Sequence, residues 1–191
     1  MNDWIKGTIS KYACLNDDEW QAFYKYAKTI KLRPREIFLK PDVVANRAGF
    51  LKNGILRAFY SNDQGNVITS YFYYVPNHDI VTLQTSFAGN IPSVHTVEAI
   101  TPCEIIYLEK DDLLILYSLF HNFEKLGRII AEKHYLETSK RAQALQTKSA
   151  RQLYLDFIAE AGDIVLHVPQ NMIASYLGIS QFTLSKIKNE M

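Results

Sequence analysis

Near the C-terminal end, the stretch from Gln170 to Asn189 reads Gln-Asn-Met-Ile-Ala-Ser-Tyr-Leu-Gly-Ile-Ser-Gln-Phe-Thr-Leu-Ser-Lys-Ile-Lys-Asn. Its residue types and spacing suit a defined chemistry. Ile173, Ala174 and Leu177 repeat at helical spacing before Gly178, and Leu184 and Ile187 do so after it. Glycine supplies a turn backbone that a β-carbon would strain, Ile179 plugs the turn, and Ser180 is of the type that caps a second helix. This is the residue kit of a helix-turn-helix. The outward residues are Ser180, Gln181, Phe182, Thr183, Ser185, Lys186, Lys188 and Asn189, and they form the candidate DNA-binding set. A glutamine pairs with adenine N6 and N7, a lysine with guanine O6 and N7, and a phenyl ring meets a thymine methyl. Ser180, Thr183 and Lys188 suit phosphates, which position rather than specify. The competing reading is a helical hairpin inside an ordinary core.

Charge does not decide between them. The 191-residue chain carries a net charge of +1, so its overall field selects neither a polyanion nor an acidic partner. From 139 to 191, six basic residues (Lys140, Arg141, Lys148, Arg151, Lys186, Lys188) face four acidic ones (Asp156, Glu160, Asp163, Glu190), a balance of +2. That predicts modest non-specific affinity and a shallow salt slope for one chain, which a dimer would double. An apolar fraction of 48% supports a real core, and 21% charged residues argues against disorder. Without an apolar leader or an apolar run of about 18 residues, the reading is a cytoplasmic protein with no membrane partner.

The elements that must position this motif change in texture along the chain. Asn16 to Glu19 precede Trp20, Phe23, Tyr24 and Ala27, which predicts a helix ending near Lys31, ahead of Pro34. Short β-rich runs follow at Glu36–Leu39, Ala48–Tyr60, Val67–Tyr74, His78–Thr82, His95–Ile100 and Cys103–Leu108, separated by turn residues such as Asn53-Gly54 and Asn62 to Asn66. Strands at this spacing predict an antiparallel sandwich or barrel. From Asp111 the period becomes helical. Leu119, Phe123, Leu126 and Ile130 form a narrow apolar stripe on a helix running to about Leu145, roughly 40 Å long, and the reading favours a dimerisation spine over a core helix. Thr147 is the expected cap of a further helix over 149–161, ended by Gly162, and 164–168 is a β-prone run before Pro169.

Other chemistries are weaker. Cys14 and Cys103 have no metal spacing and are too few for an iron–sulfur site; both are expected to be reduced and partly buried. Cys103, His78 and His95 are candidate haem ligands by type alone. A cupin-like enzyme would need histidines and a carboxylate to converge. His78, Asp79, His95 and Glu98 are the available set, but no HxH pair exists. No catalytic triad pattern or GxSxG is present, so the chain is read as a non-enzyme with no catalytic residues, cofactor or metal. A third reading is a small-molecule or protein-binding module with a vestigial helix-turn-helix.

The order β-barrel, long helix, short helix, β-prone run and helix-turn-helix resembles the family of the cyclic-AMP receptor protein and the fumarate–nitrate regulator (Crp/Fnr) over essentially the whole chain. Ile37–Arg57 looks like the family's opening strands, Val97–Leu108 like its closing strands, Phe123–Lys133 like its dimer helix, and Ile173–Ser180 is the sharpest match. The resemblance implies an α+β fold. A double-stranded β-helix (jelly-roll, cyclic-nucleotide-binding-like) sensor would span 1–110, a long dimerisation helix 111–146 and a winged helix-turn-helix 147–191. It implies a homodimeric transcription regulator, with double-stranded DNA and RNA polymerase as partners. The pattern departs at the ligand site. Members that bind cyclic AMP carry a Gly-Glu-Leu turn and an arginine for the phosphate. Here His78–Thr96 holds neither, and no arginine lies between Arg57 and Arg128. Cyclic AMP is therefore not expected as the effector. Ser93 falls near the arginine's position, and Ser93 and Val94 are the expected contacts of a different effector, if one exists.

Overall fold

The computed structural model describes residues 2–190. Two helices open the chain, α1 (Asn2–Ile9) and α2 (Asp17–Tyr26). The acidic start of α2 forms a capping box: Asn16 accepts from the Glu19 amide at 2.9 Å, and Glu19 accepts from the Asn16 amide at 2.8 Å. α2 ends at Tyr26, earlier than the expected Lys31, because Lys28-Thr-Ile-Lys-Leu32 is claimed by a sheet as β1. Its register on the last strand pairs Ile30 with Ile105.

The β-rich region then forms β2 (Ile37–Leu39), β3 (Arg47–Asn53), β4 (Ile55–Ser61), β5 (Val67–Tyr74) and β6 (Ile80–Val81). A short helix α3 (Gln84–Gly89) follows, then β7 (Thr96–Ala99) and β8 (Cys103–Glu109). All pairs are antiparallel, in two four-stranded sheets ordered β1-β8-β3-β6 and β2-β7-β4-β5. This is the layout of a jelly roll. Gly54, at φ +92°, turns β3 into β4, and a β-carbon there would collide with Pro102 and Cys103. Phe38 of one sheet meets Tyr107 of the other edge to face, so Tyr107, Ile105, Gly49 and Leu51 line the interior of the roll. Ala48, Phe50, Ile106 and Leu108 alternate to the outer face.

The rest is helical: α4 (Lys110–Leu119), α5 (His121–Thr147), α6 (Ala150–Ala161), α7 (Gln170–Tyr176) and α8 (Gln181–Asn189). α5 spans 27 residues, about 40 Å. Ser149, not Thr147, caps α6, accepting from the Gln152 amide at 3.2 Å; the Thr147 hydroxyl instead donates to the Gln143 carbonyl within α5. The β-prone run at 164–168 forms no strand; Gly162–Leu166 is a 3₁₀ turn. Its amides bond locally, as His167 to Ile164, with no neighbouring strand to pair with. No strand is formed after β8 among the described residues, so the wing of the expected winged motif is not seen there. No described helix is long and apolar enough to cross a membrane.

The stripe expected to form a dimer spine turns out to face two ways. Phe123 and Leu126 are buried in the chain's own core, and Ile130 packs beside them. Phe123 stacks on Phe23 of α2 at 6.5 Å. Phe123 and Leu126 cover the outer face of the jelly roll, an apolar surface that would otherwise meet water, and so these two are not free for a partner. Leu119 remains 64% exposed, and Tyr135 and Leu136 on the far side of α5 are exposed as well.

Candidate nucleic-acid interface

α7 and α8 meet at a turn in which Gly178 takes φ +67° and the Ile179 amide donates to the Ala174 carbonyl at 3.0 Å. A left-handed residue there favours glycine. Ile173, Ala174, Leu177, Leu184 and Ile187 are all buried and lock the two helices into one body. Ser180 caps α8, its hydroxyl accepting from the Thr183 amide at 3.0 Å and pairing with the Thr183 hydroxyl at 2.8 Å. Both hydroxyls are thus engaged in starting the helix.

With Leu184 and Ile187 turned inward, Gln181, Phe182, Ser185, Lys186, Lys188 and Asn189 are all exposed on the opposite face. Phe182 is 80% exposed, an uncovered phenyl ring on an otherwise polar face. Lys186 has only a loose contact to Glu190 at 3.9 Å, between two solvated side chains, which is worth little. The ends of both lysines therefore remain available to an outside anion.

Three contacts that sequence reading missed hold this unit in place. Ser175 of α7 accepts from the Thr69 amide of β5 at 3.2 Å. Tyr176 packs between Phe72 of β5 and Phe157 of α6, at 5.0 and 5.3 Å. Arg141 of α5 lies 3.6 Å above the Tyr176 ring and donates to the Tyr176 carbonyl, a cation–π contact joined to a hydrogen bond. Ile55, Phe72 and Tyr74 of the roll thereby share one apolar cluster with α6, α7 and α8.

A polar junction completes the attachment. The Tyr71 hydroxyl donates to Glu137 of α5 at 2.6 Å. Its only proton is then committed, so His78 Nδ1, 2.6 Å from the same oxygen, must donate to it. His78 Nε2 faces Glu160 of α6 at 2.8 Å. Both ring nitrogens are donors, which describes an imidazolium. Burial works against the charge, but the hydrogen bonds and charges of Glu137 and Glu160 prevail and push the His78 pKa up to about 9. Burial also opposes the Glu137 carboxylate; there the His78 and Tyr71 hydrogen bonds hold its pKa below the usual range, and the His78 hydrogen bond does the same for Glu160.

The proposed alternatives find their residues spread apart. His78 is bonded to Tyr71 and Glu160, Asp79 faces Lys11, His95 packs on Tyr60, and Glu98 pairs with Arg57 at 2.6 Å. None of the described residues forms a His/Cys/Asp/Glu group that could hold a metal ion. Cys103 is buried and its thiol is pushed up to about 11 by desolvation, whereas Cys14 is exposed. Ser93 is buried, with its hydroxyl accepting from the His95 amide at 3.0 Å, and Val94 is exposed at a loop tip. The two residues expected to contact an effector therefore point into different surroundings.

No protein-family model and no curated protein matches this sequence. Solved structures do. FixK2 from Bradyrhizobium japonicum superposes with a TM-score of 0.72 at 20% identity, over 86% of this chain and 83% of that one. A transcriptional regulator of the Crp/Fnr family from Eubacterium rectale gives 0.71 at 14% identity, over 92% and 83%. The chain has the Crp/Fnr fold. The c-di-GMP-responsive global regulator CLP of Xanthomonas campestris shares that fold at a TM-score of 0.70 and 12% identity, over 92% and 91%. At these coverages the likeness reaches into the helical half, and it shows the fold.

Proposed function

We propose that this chain is a sequence-specific DNA-binding transcription regulator of the Crp/Fnr type rather than an enzyme. The observation that carries the reading is α8: a capped helix anchored by Leu184 and Ile187, with glutamine, lysine and asparagine side chains exposed together on one face. That face has the donors and acceptors for base edges and few of the charges that would bind any polyanion indiscriminately. In this reading 1–110 is a sensor, 111–146 a connecting helix and 147–191 the DNA-binding unit.

The chain acts as a homodimer, with RNA polymerase as a further partner. The exposed side of α5, with Ile129 and Leu136 one heptad apart and Tyr135 beside them, supports the self-association. Two-fold symmetry then calls for a near-palindromic operator with half-sites about 34 Å apart. Cyclic AMP is not the effector: Arg57 is the arginine nearest in sequence to the expected ligand stretch, and it is already bound to Glu98.

Selection of bound fragments from sheared genomic DNA of the source organism, with no added ligand, tests the reading. Recovery of a shared inverted repeat, lost when Gln181 and Lys186 are both changed to alanine, is expected. Recovery of nothing above background, with or without cell metabolites, overturns it.

A further inference from the structure

A cavity of about 70 Å³ lies between the outer face of the β1-β8-β3-β6 sheet and the helices that cover it. Phe50 of β3, Phe23 of α2, Leu113 of α4, Phe87 of α3 and Leu126 of α5 line it. It is separate from the interior of the roll, because Phe50 and Leu108 alternate away from the sheet-to-sheet side. Ser93 and Val94 take no part in it.

Two features give the cavity chemical character. No charged side chain lines it; the polar groups are Thr82, Gln84 and Tyr117. Among them the Thr82 hydroxyl is buried and has no hydrogen-bond partner. An unpaired buried hydroxyl is costly, so it favours any occupant that brings a matching donor or acceptor. The Tyr117 phenol is pushed up to about 12 by burial and stays a neutral donor. Gly127 lets the Tyr117 hydroxyl sit directly against α5, since a β-carbon there would run into it.

The charged neighbours are already committed. Beyond Thr82, Ile80 and Ile130 a smaller recess holds Tyr71, His78, Lys133, His134 and Glu137. Lys133 donates to the Tyr12 hydroxyl and the Asn77 carbonyl at 3.0 Å each and lies near Glu137, while His78 is bonded to Tyr71 and Glu160. Asp79 faces Lys11, and burial holds His134 below its ordinary pKa. Among these described residues no free cation remains for an anion, and an ionised guest would meet a severe desolvation cost.

We propose that this cavity is a binding site for a small uncharged organic molecule with one oxygen function, of the short-chain alcohol class, whose oxygen pairs with Thr82. Its size is about half the roughly 150 Å³ of a cavity that binds the six heavy atoms of benzene, and it leaves room for about three heavy atoms. The occupant touches α3, β3 and α5 together. Filling it would therefore couple ligand to the helix that carries the DNA-binding unit.

The test uses the full-length protein without DNA, so its outcome is separate from that of the operator selection. Ethanol is titrated while the methyl resonances of isoleucine and leucine are followed by NMR. Saturable shifts confined to Ile80, Leu113, Leu126 and Ile130 are expected, with binding weakened about tenfold by Thr82→Val, which keeps the shape and removes the hydroxyl. Leu114→Met, on the exposed side of α4 and outside the cavity lining, should bind as the unaltered protein does. Linear shifts spread over surface methyls would overturn the proposal. So would equal binding by Thr82→Val, or a cavity occupied by water alone.

Discussion

Leu184 and Lys186 stand two residues apart on α8 and should fail in opposite ways. Leu184 is fully buried, so Leu184→Ala removes core volume and is expected to cost about 2–5 kcal/mol, read as a lowered melting temperature. Lys186→Ala should leave melting unchanged, weaken operator binding by about 1–3 kcal/mol and relax specificity at the guanine it reads. His78 makes a third case. Its folded pKa is raised above the ordinary value, to about 9. Its contribution is therefore full below about 6.5 and is lost as pH rises through 9. Glu137 and Glu160, held low, contribute above the usual carboxylate range and fail in acid. Thermal melts of the parent chain should decline from pH 6.5 to 9.5, and those of His78→Gln should be flatter there; parallel curves would show that the junction adds nothing. These two features were unequally legible in the sequence. The α8 face follows from local spacing, because its buried and exposed residues alternate within nine residues. The junction does not: Glu137 and Glu160 lie 66 and 82 residues from their partners Tyr71 and His78, and no short-range pattern brings them together.

Among the elements, the β3–β4 turn and α5 carry the sharpest expectations. Gly54 combines positive φ with a close approach to Pro102 and Cys103, so Gly54→Ala should destabilise by more than about 1 kcal/mol, measured by denaturant midpoint. On α5 the apolar stripe was readable but its partner was not. A repeat of 3 and 4 residues says that a helix face is buried; it does not say whether another chain or the helix's own sheet buries it. Phe123 and Leu126 went to the sheet. The interface test therefore belongs to the other side: Tyr135→Glu with Leu136→Glu should shift the sedimentation coefficient to that of a monomer, with secondary structure intact. A dimer that survives this double change would move the interface off α5. The short helix α3 was missed because Gln84 to Gly89 has too few residues for a period. The β-prone run at 164–168 became a 3₁₀ turn because β-branched residues without a neighbouring strand have no ladder to join.

For the whole molecule, the strand order and sheet pairing follow the expected jelly roll, and the likeness to Crp/Fnr structures spans both halves. What sequence could not show is that α7 lies on β5. Arg141 over Tyr176 and Glu160 on His78 hold that arrangement. Replacing Arg141 by alanine together with Glu160→Gln should free α6 to α8 to turn about Lys148, where α5 ends. Trypsin should then cut faster after Lys148 and Arg151, and operator affinity should change by at least several-fold. Unaltered cleavage would mean that the apolar contacts alone hold the unit.

The apolar cluster that Ile55, Phe72 and Tyr74 share with Tyr154, Phe157 and Ile173 also bears on how the chain melts. A boundary drawn at 147 by sequence cuts through this cluster, so neither piece keeps a complete core. Scanning calorimetry should give one cooperative transition, with calorimetric and van't Hoff enthalpies equal, where two independent modules would give two. A fragment ending at 147 would expose Phe72 and Tyr74 to water and should self-associate, and the C-terminal piece alone should lack a sharp melt.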